Sequence, residues 1–236
     1  MQAVIPAAGK GTRLRPLTET QPKALVDIAG KPLLSHLLDR LTETVLTEVI
    51  IIVGYRGEQI VNQYGERYDS LSLDYVQQEK QQGLAHAIAQ AEPLVSDDFL
   101  VVNGDNVLGF SLQSVCRTQQ QPSTDVTLLT ETADKGTART TGVVVTEEDG
   151  SVKRLVEKPD NPPSNQITTG VYGLSPRFFD AYQAVDPSER GEYELPDVIN
   201  QLLATGATVE AVELDGWRVN VNEPADRKRA KRLLTR

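Results

Sequence analysis

The chain has 236 residues and a net charge of −9, with 39% hydrophobic and 24% charged residues. That length can bury a substantial core in one large or two small domains, and the composition is that of an ordinary soluble protein. No run approaches the roughly 20 apolar residues of a membrane helix, and no long basic stripe offsets the negative charge as a nucleic-acid binder would need.

The N-terminal apolar run stops at Pro6, without a basic leader, so the expected location is cytoplasmic, with neither membrane nor nucleic acid as partner. One cysteine, Cys116, excludes an internal disulfide. With His36 and His86 the only histidines, a zinc site is disfavoured, and any metal would be a hard cation on oxygen ligands, magnesium before zinc. The acidic balance suits a high-salt cytoplasm, and a plain acidic surface explains it equally well.

From the N-terminus, "QAVIPAA" reads as a buried strand that runs into "IPAAGKGTRLRP", residues 5–16. There the apolar run gives way to two glycines and three cations. Glycine lets backbone amides approach a ligand closely, and Lys10, Arg13 and Arg15 add positive charge, so the loop suits phosphate. "KPLLSHLLDRLTET" has apolar residues at 33, 34, 37, 38 and 41, the spacing of a helix. "EVIIIVG" is a continuous apolar run ended by glycine, as in a parallel strand covered on both faces. A helix in "RGEQIVNQYGERY", a strand in "LSLDYVQ", a helix through "LAHAIAQAEPL" and a buried strand in "DFLVVNGD" follow. This alternation predicts βαβ units around a parallel sheet.

After about residue 122 the texture changes. "DVTLLTE", "GVVVTEEDGSVKRLVEK" and "ITTGVYGLS" read as strands joined by short turns, with "EEDGS" a hairpin. Helices return at "PRFFDAYQAV" and "LPDVINQLLATG", then strands at "TVEAVELDG" and "WRVNVN", and a last helix through "PADRKRAKRLL". The Pro-rich "KPDNPPSN" is a loop too short to link domains. The expected fold is therefore α/β: a single domain over residues 1–236, with a Rossmann-like, mostly parallel sheet flanked by helices and a more antiparallel second half.

Three phosphate chemistries compete for the glycine loop. A Walker A loop needs G-x-x-x-x-G-K-[ST], and the order Gly9-Lys10-Gly11-Thr12-Arg13 does not supply it. A dinucleotide fingerprint needs a third glycine where Leu14 stands, and an acid after the second strand where Gly54-Tyr55-Arg56 stand. The third reading rests on "AAGKGTRLRPLTETQPKALVDIAGKPLL", with "GLAHA", "NGDN", "GVVV", "EKP", "TGVYGLS" and "GEYELPDVINQLL" following in order. This series closely resembles the sugar-1-phosphate nucleotidylyltransferases, of the glucose-1-phosphate uridylyltransferase or thymidylyltransferase type. Only the tail departs, since the chain stops soon after the last helix.

The resemblance implies a nucleotide-diphospho-sugar transferase-like fold, its nucleotide-binding part about residues 1–122 and its sugar-binding part about 123–236. It implies a transfer from UTP or dTTP to a hexose 1-phosphate with release of pyrophosphate, most simply UTP and glucose 1-phosphate giving UDP-glucose. GlcNAc 1-phosphate and a GDP-mannose-type reaction are alternatives, as is a non-catalytic sensor of nucleotide sugars. Association into a homo-oligomer stays open.

By the same resemblance, Ala8, Gly9, Gly11, Thr12, Arg13 and Lys23 hold the triphosphate, with Arg13 stabilising the transition state. Asp105, at the carboxyl end of a buried strand, holds Mg²⁺. The second metal ligand is Asn220 or Asn222, which strand alternation puts on one face. Gln78, five residues before Gly83, reads a pyrimidine edge, with Gly83 letting the backbone come close to the nucleotide, although Gln77, Gln81 and Gln82 also fit a plain polar loop. Gly142, Glu157, Lys158, Thr169 and Glu192 fall at sugar-pocket positions, with Lys158 on the sugar phosphate and Glu157 on sugar hydroxyls.

Overall fold

A computed structural model of the chain describes residues 1–235. The first strand, β1 (Gln2–Pro6), is followed by a small hairpin of β2 (Asp27–Ile28) and β3 (Lys31–Pro32), then α1 (Leu33–Thr42) and β4 (Glu48–Val53). Next come α2 (Gly57–Tyr64), β5 (Arg67–Tyr68), β6 (Leu71–Gln77), α3 (Leu84–Ala89), β7 (Phe99–Val102) and β8 (Asn106–Leu108). The chain continues through α4 (Gln113–Gln119), β9 (Val126–Thr132), α5 (Lys135–Ala138), β10 (Gly142–Thr146), β11 (Val152–Glu157) and β12 (Gln166–Leu174). It ends with α6 (Arg177–Gln183), α7 (Leu195–Ala204), β13 (Val209–Glu213), β14 (Arg218–Asn220) and α8 (Pro224–Leu234).

These elements pack as two compact units that interleave along the chain. The first holds Met1–Gln81, Val102–Gln113 and the described residues from Asp215; the second holds Gln82–Val101 and Ser114–Leu214. In the first, β1, β4 and β6 pair in parallel, with α1 and α2 as crossovers, and β5 folds back antiparallel on β6. The α/β class read from the sequence holds here. Leu33, Leu34, Leu37, Leu38 and Leu41 of α1 are all fully buried, so the apolar spacing did place the helix. Each such side chain contributes roughly 1.5–3 kcal/mol on burial.

The second unit is the more antiparallel one. Strand β12 pairs antiparallel with β9 and β10, and β10 with β11, while β13 joins β9 in parallel. Glu147 and Ser151 close the predicted β10–β11 turn, with Gly150 at φ +87°. Phe99, Phe178 and Phe179 pack ring against ring in its core.

Several elements differ from the expectation. Helix α2 ends at Tyr64 because Gly65 takes φ +60°, and of the "ERY" expected to continue it Arg67 and Tyr68 form β5 instead. Helix α3 ends at Ala89, with Glu92–Leu94 forming a separate 3-10 turn around Pro93. The β2–β3 hairpin, β8, α4 and α5 were not foreseen: two to seven residues are too few to show a period. Among the described residues no helix is long and apolar enough to cross a membrane.

Candidate active site

In the first unit the glycine loop begins where β1 ends. The Ala7 amide still donates to the Ile52 carbonyl at 2.8 Å, and the Ala8 carbonyl accepts from Tyr55 N–H and from Gln81 Nε2, the latter at 2.6 Å. The two glycines are there for different reasons. A Cβ on Gly9 would meet nothing within 4 Å, so the space beside it is open to a ligand. Gly11 has φ +59°, and a Cβ there would stand 3.0 Å from Lys23 Cβ and 3.1 Å from Thr18 Cγ2. Gly11 thus lets the loop turn left-handed against the segment that carries Lys23. Thr18 Oγ1 donates to the Gly11 carbonyl at 2.8 Å and closes the turn.

One apolar cluster explains why distant segments meet here. Leu14, Val26, Ile28, Leu33, Val107, Val219, Val221 and Ala230 pack together. Leu14 pins the glycine loop, Val107 the stretch just after Asp105, and Val219 and Val221 the chain around Asn220. Strand alternation then turns Asn220 and Asn222 away from that core. The turn before Asp105 is equally tight: the Gly104 amide donates to the Pro6 carbonyl, and a Cβ on Gly104 would sit 2.8 Å from that oxygen. The Asp105 carbonyl in turn accepts from Val221 N–H at 2.8 Å.

The result is a three-residue polar centre. Lys23 Nζ lies 3.0 Å from Asp105 Oδ2 and 2.8 Å from Asn222 Oδ1. Asn222 Nδ2 donates to Asn220 Oδ1 at 2.7 Å, so Asn222 faces Lys23 directly and Asn220 stands behind it. Asp226 holds the backbone of Asn222, because its Oδ2 accepts from both the Asn222 and Glu223 backbone amides while capping α8. Asp105 Oδ1 is buried and has no hydrogen-bond partner. Among the described residues no group of three or more His, Cys, Asp or Glu side chains converges, so a cation here would draw on Asp105 and amide oxygens.

On the glycine loop and just after it, Lys10, Arg13 and Arg15 are exposed. Gln78 is buried just after β6, and its backbone N–H donates to the Val53 carbonyl. Gln81, which the sequence shows only as part of a polar stretch, touches the loop through the Ala8 carbonyl.

The second unit carries the remaining predicted residues. Gly83 has φ +102°, and a Cβ there would lie 2.5 Å from the Tyr193 carbonyl oxygen and 3.1 Å from Glu192 Cβ. The Ala85 amide donates to the Tyr193 carbonyl and the Tyr193 amide to the Gln82 carbonyl, so this seam is a backbone pairing. His86 stacks on Tyr193 at 6.3 Å, and burial pushes its imidazole below the usual pKa.

Gly142 pairs in register with Glu157, and a Cβ on it would stand 3.3 Å from Glu157 Oε2 and 3.0 Å from Thr168 Oγ1. Glu157 Oε1 lies 2.9 Å from Lys158 Nζ, and Lys158 itself has φ +43°. Arg190, not singled out from the sequence, reaches Glu194 at 2.8 Å and Glu157 at 3.8 Å. Thr168 is the threonine beside Gly142; the Thr169 hydroxyl donates to the Leu129 carbonyl at 2.9 Å. Glu192 is exposed on the loop that holds Gly191 at φ +73°.

Comparison with known proteins follows the same lines. Residues 2–218 match the family described as nucleotidyl transferase. The UTP–glucose-1-phosphate uridylyltransferase AglF of Haloferax volcanii is 41% identical over 99% of this chain and 96% of its own. A glucose-1-phosphate thymidylyltransferase of Streptomyces antibioticus is 34% identical over 96% of this chain, which spans 64% of that protein. The structure of a UDP-glucose pyrophosphorylase complexed with UDP-glucose superposes with a TM-score of 0.88 at 25% identity, covering 99% of this chain and 98% of that one.

Proposed function

The chain belongs to the nucleotidyl transferase family, and on that premise we propose that it joins UTP to glucose 1-phosphate, giving UDP-glucose and pyrophosphate. The observation that carries the chemistry is the meeting of the glycine loop, Lys23 and Asp105 in one polar centre. The choice of substrates rests on the end-to-end likeness to AglF.

The reaction needs no general base. A sugar phosphate has a second pKa near 6, so at neutral pH its oxygen is largely ready to attack the α-phosphorus. A new bond forms from that oxygen to the α-phosphorus, the bond to the bridging β-oxygen breaks, and pyrophosphate leaves with both electrons. The chain's task is therefore to hold two anions together and to neutralise charge on the departing group. Amides of Gly9 to Thr12 would cradle the triphosphate, with Arg13 and Lys23 supplying positive charge preorganised for the leaving pyrophosphate. Lys158 would hold the sugar phosphate, with Glu157, Gly142, Thr169 and Glu192 toward the sugar and Gln78 toward the pyrimidine.

The residues at Asp105 fit a Mg²⁺ ion, because a buried carboxylate oxygen without a partner is suited to a hard cation. Asp105 would hold it with Asn222, Asn220 standing behind, and the ion would supply Lewis-acid polarisation of the α-phosphate. The place of such a reaction is the cytoplasm, where nucleoside triphosphates are available.

The test is a substrate panel. UTP, dTTP and GTP are each incubated with Mg²⁺ and with glucose, N-acetylglucosamine or mannose 1-phosphate while pyrophosphate is followed. UTP with glucose 1-phosphate is expected to give the highest kcat/KM. A higher value for dTTP would overturn the assignment of the base, and silence across the panel would leave a nucleotide-sugar sensor.

A further inference from the structure

Lys23 is placed between two oxygens that a metal would need together. Its ammonium makes contacts of 3.0 Å to Asp105 Oδ2 and 2.8 Å to Asn222 Oδ1. The Asn222 amide is not free to turn its oxygen elsewhere, since its nitrogen is committed to Asn220 Oδ1 and its own backbone amide to Asp226. Lys23 is 13% exposed at its side chain and Asp105 26%, so water competes poorly with the contact. The Lys23 backbone is fixed as well, by the 3-10 turn Lys23–Leu25 and by Gly11 packed against Lys23 Cβ.

We propose that Lys23 is a resident counter-cation that keeps a divalent ion off Asp105 and Asn222 until a triphosphate arrives. This deepens the reading above and rests on Asp105 and Asn222 being the metal pair. Two cations cannot share the span between those oxygens, because like charges at contact distance repel strongly in a partly buried site. A triphosphate changes the balance by giving the ammonium a new anion. Lys23 then moves from carboxylate to phosphate, and the carboxylate it releases is taken by the ion that the nucleotide brings. At no stage is Asp105 left without a positive partner. The consequence is a binding order set by one side chain: the metal enters with the nucleotide, not before it.

The experiment is a Mn²⁺ titration of the chain, read by the electron paramagnetic resonance signal of free Mn²⁺, with no nucleotide or sugar phosphate present. The wild-type chain is expected to bind weakly. Lys23→Met is expected to bind at least roughly ten-fold more tightly, since the repulsion is gone. Lys23→Arg, which keeps the charge, should stay near wild type. Lys23→Gln serves as a second neutral variant, and melting curves confirm that each variant is folded. Tight stoichiometric binding by the wild type alone would overturn the proposal without any variant, and so would neutral variants that bind no better than wild type. The substrate panel is independent of this result: a ten-fold gain in a chain without turnover would keep the counter-cation and remove the enzymatic reading.

Discussion

Gly83 stands so close to Tyr193 that an added Cβ would lie 2.5 Å from the Tyr193 carbonyl oxygen and 2.8 Å from its amide nitrogen. The space that a side chain would take at this position is filled by the chain's own backbone. Both atoms belong to main chain held by hydrogen bonds from Ala85 and to Gln82, so neither can yield cheaply. Gly83→Ala therefore combines a forced overlap with an unfavourable left-handed conformation, at φ +102°. The expected loss is about 2–5 kcal/mol, which for a chain of this size is on the order of 5–15 °C in Tm. Thermal denaturation followed by circular dichroism checks it, and an unchanged melt would show that the Tyr193 seam is loose.

Asp105→Asn separates charge from packing. The amide keeps an oxygen for Lys23 and the backbone contact to Val221 is untouched, so folding should be preserved. A partly exposed ion pair contributes about 1 kcal/mol or less, and the melt should move by only a few degrees. Turnover, by contrast, should fall at least ~100-fold, the usual consequence of removing a fixed charge from a charge-neutralising site. Full activity in the panel assay would take Asp105 out of the chemistry.

How much of this was legible follows from distance along the chain. Helix α8 was read to its ends because its capping signals are local: Glu223 and Asp226 cap each other's amides and Pro224 opens the first turn. Strand β6 was likewise read residue for residue. Helix α2 stops short of the apolar pattern because Gly65, which a helical period passes over, is its C-cap at φ +60°. Which of Asn220 and Asn222 faces Lys23 is not legible from alternation, which puts both on one face. It depends on where Lys23 arrives from, 199 residues earlier. The same holds for Gln81, whose partner Ala8 is 73 residues away, and for Arg190, which meets Glu157 only through the folding of its loop.

Lys158 offers a test that distinguishes strain from function. Its φ of +43° is a conformation that glycine adopts without penalty, while an L-residue there costs roughly 1–2 kcal/mol. Lys158→Gly should therefore melt no lower than wild type, because relief of strain offsets the extra freedom of the unfolded chain. The ion pair to Glu157 is lost at the same time. If the ammonium holds the sugar phosphate, KM for glucose 1-phosphate should rise about 10-fold or more, with KM for UTP much less affected. Equal rises for both substrates would place Lys158 elsewhere in the reaction.

Asp39 sits at the hub of a surface network, where Lys31 Nζ and Tyr68 OH both donate to its carboxylate. Burial pushes the Asp39 carboxyl up, but the hydrogen bonds from Lys31 and Tyr68 together outweigh it and hold it below the usual carboxylate value. The same hydrogen bond from the other side raises the Lys31 ammonium above its ordinary 10.5. A depressed carboxyl gives stability that is present above its unfolded pKa and lost as pH falls through the folded one. A raised ammonium gives stability that is complete below 10.5 and lost as pH rises beyond it. Asp39→Asn should therefore destabilise most between those limits, by about 1 kcal/mol or less because the two side chains are 42% and 39% exposed. Urea unfolding across pH checks the shape: the gap between wild type and variant should close below the carboxylate range and narrow again at the alkaline end. A gap of constant size at every pH would mean that Asp39 contributes by packing and not by charge.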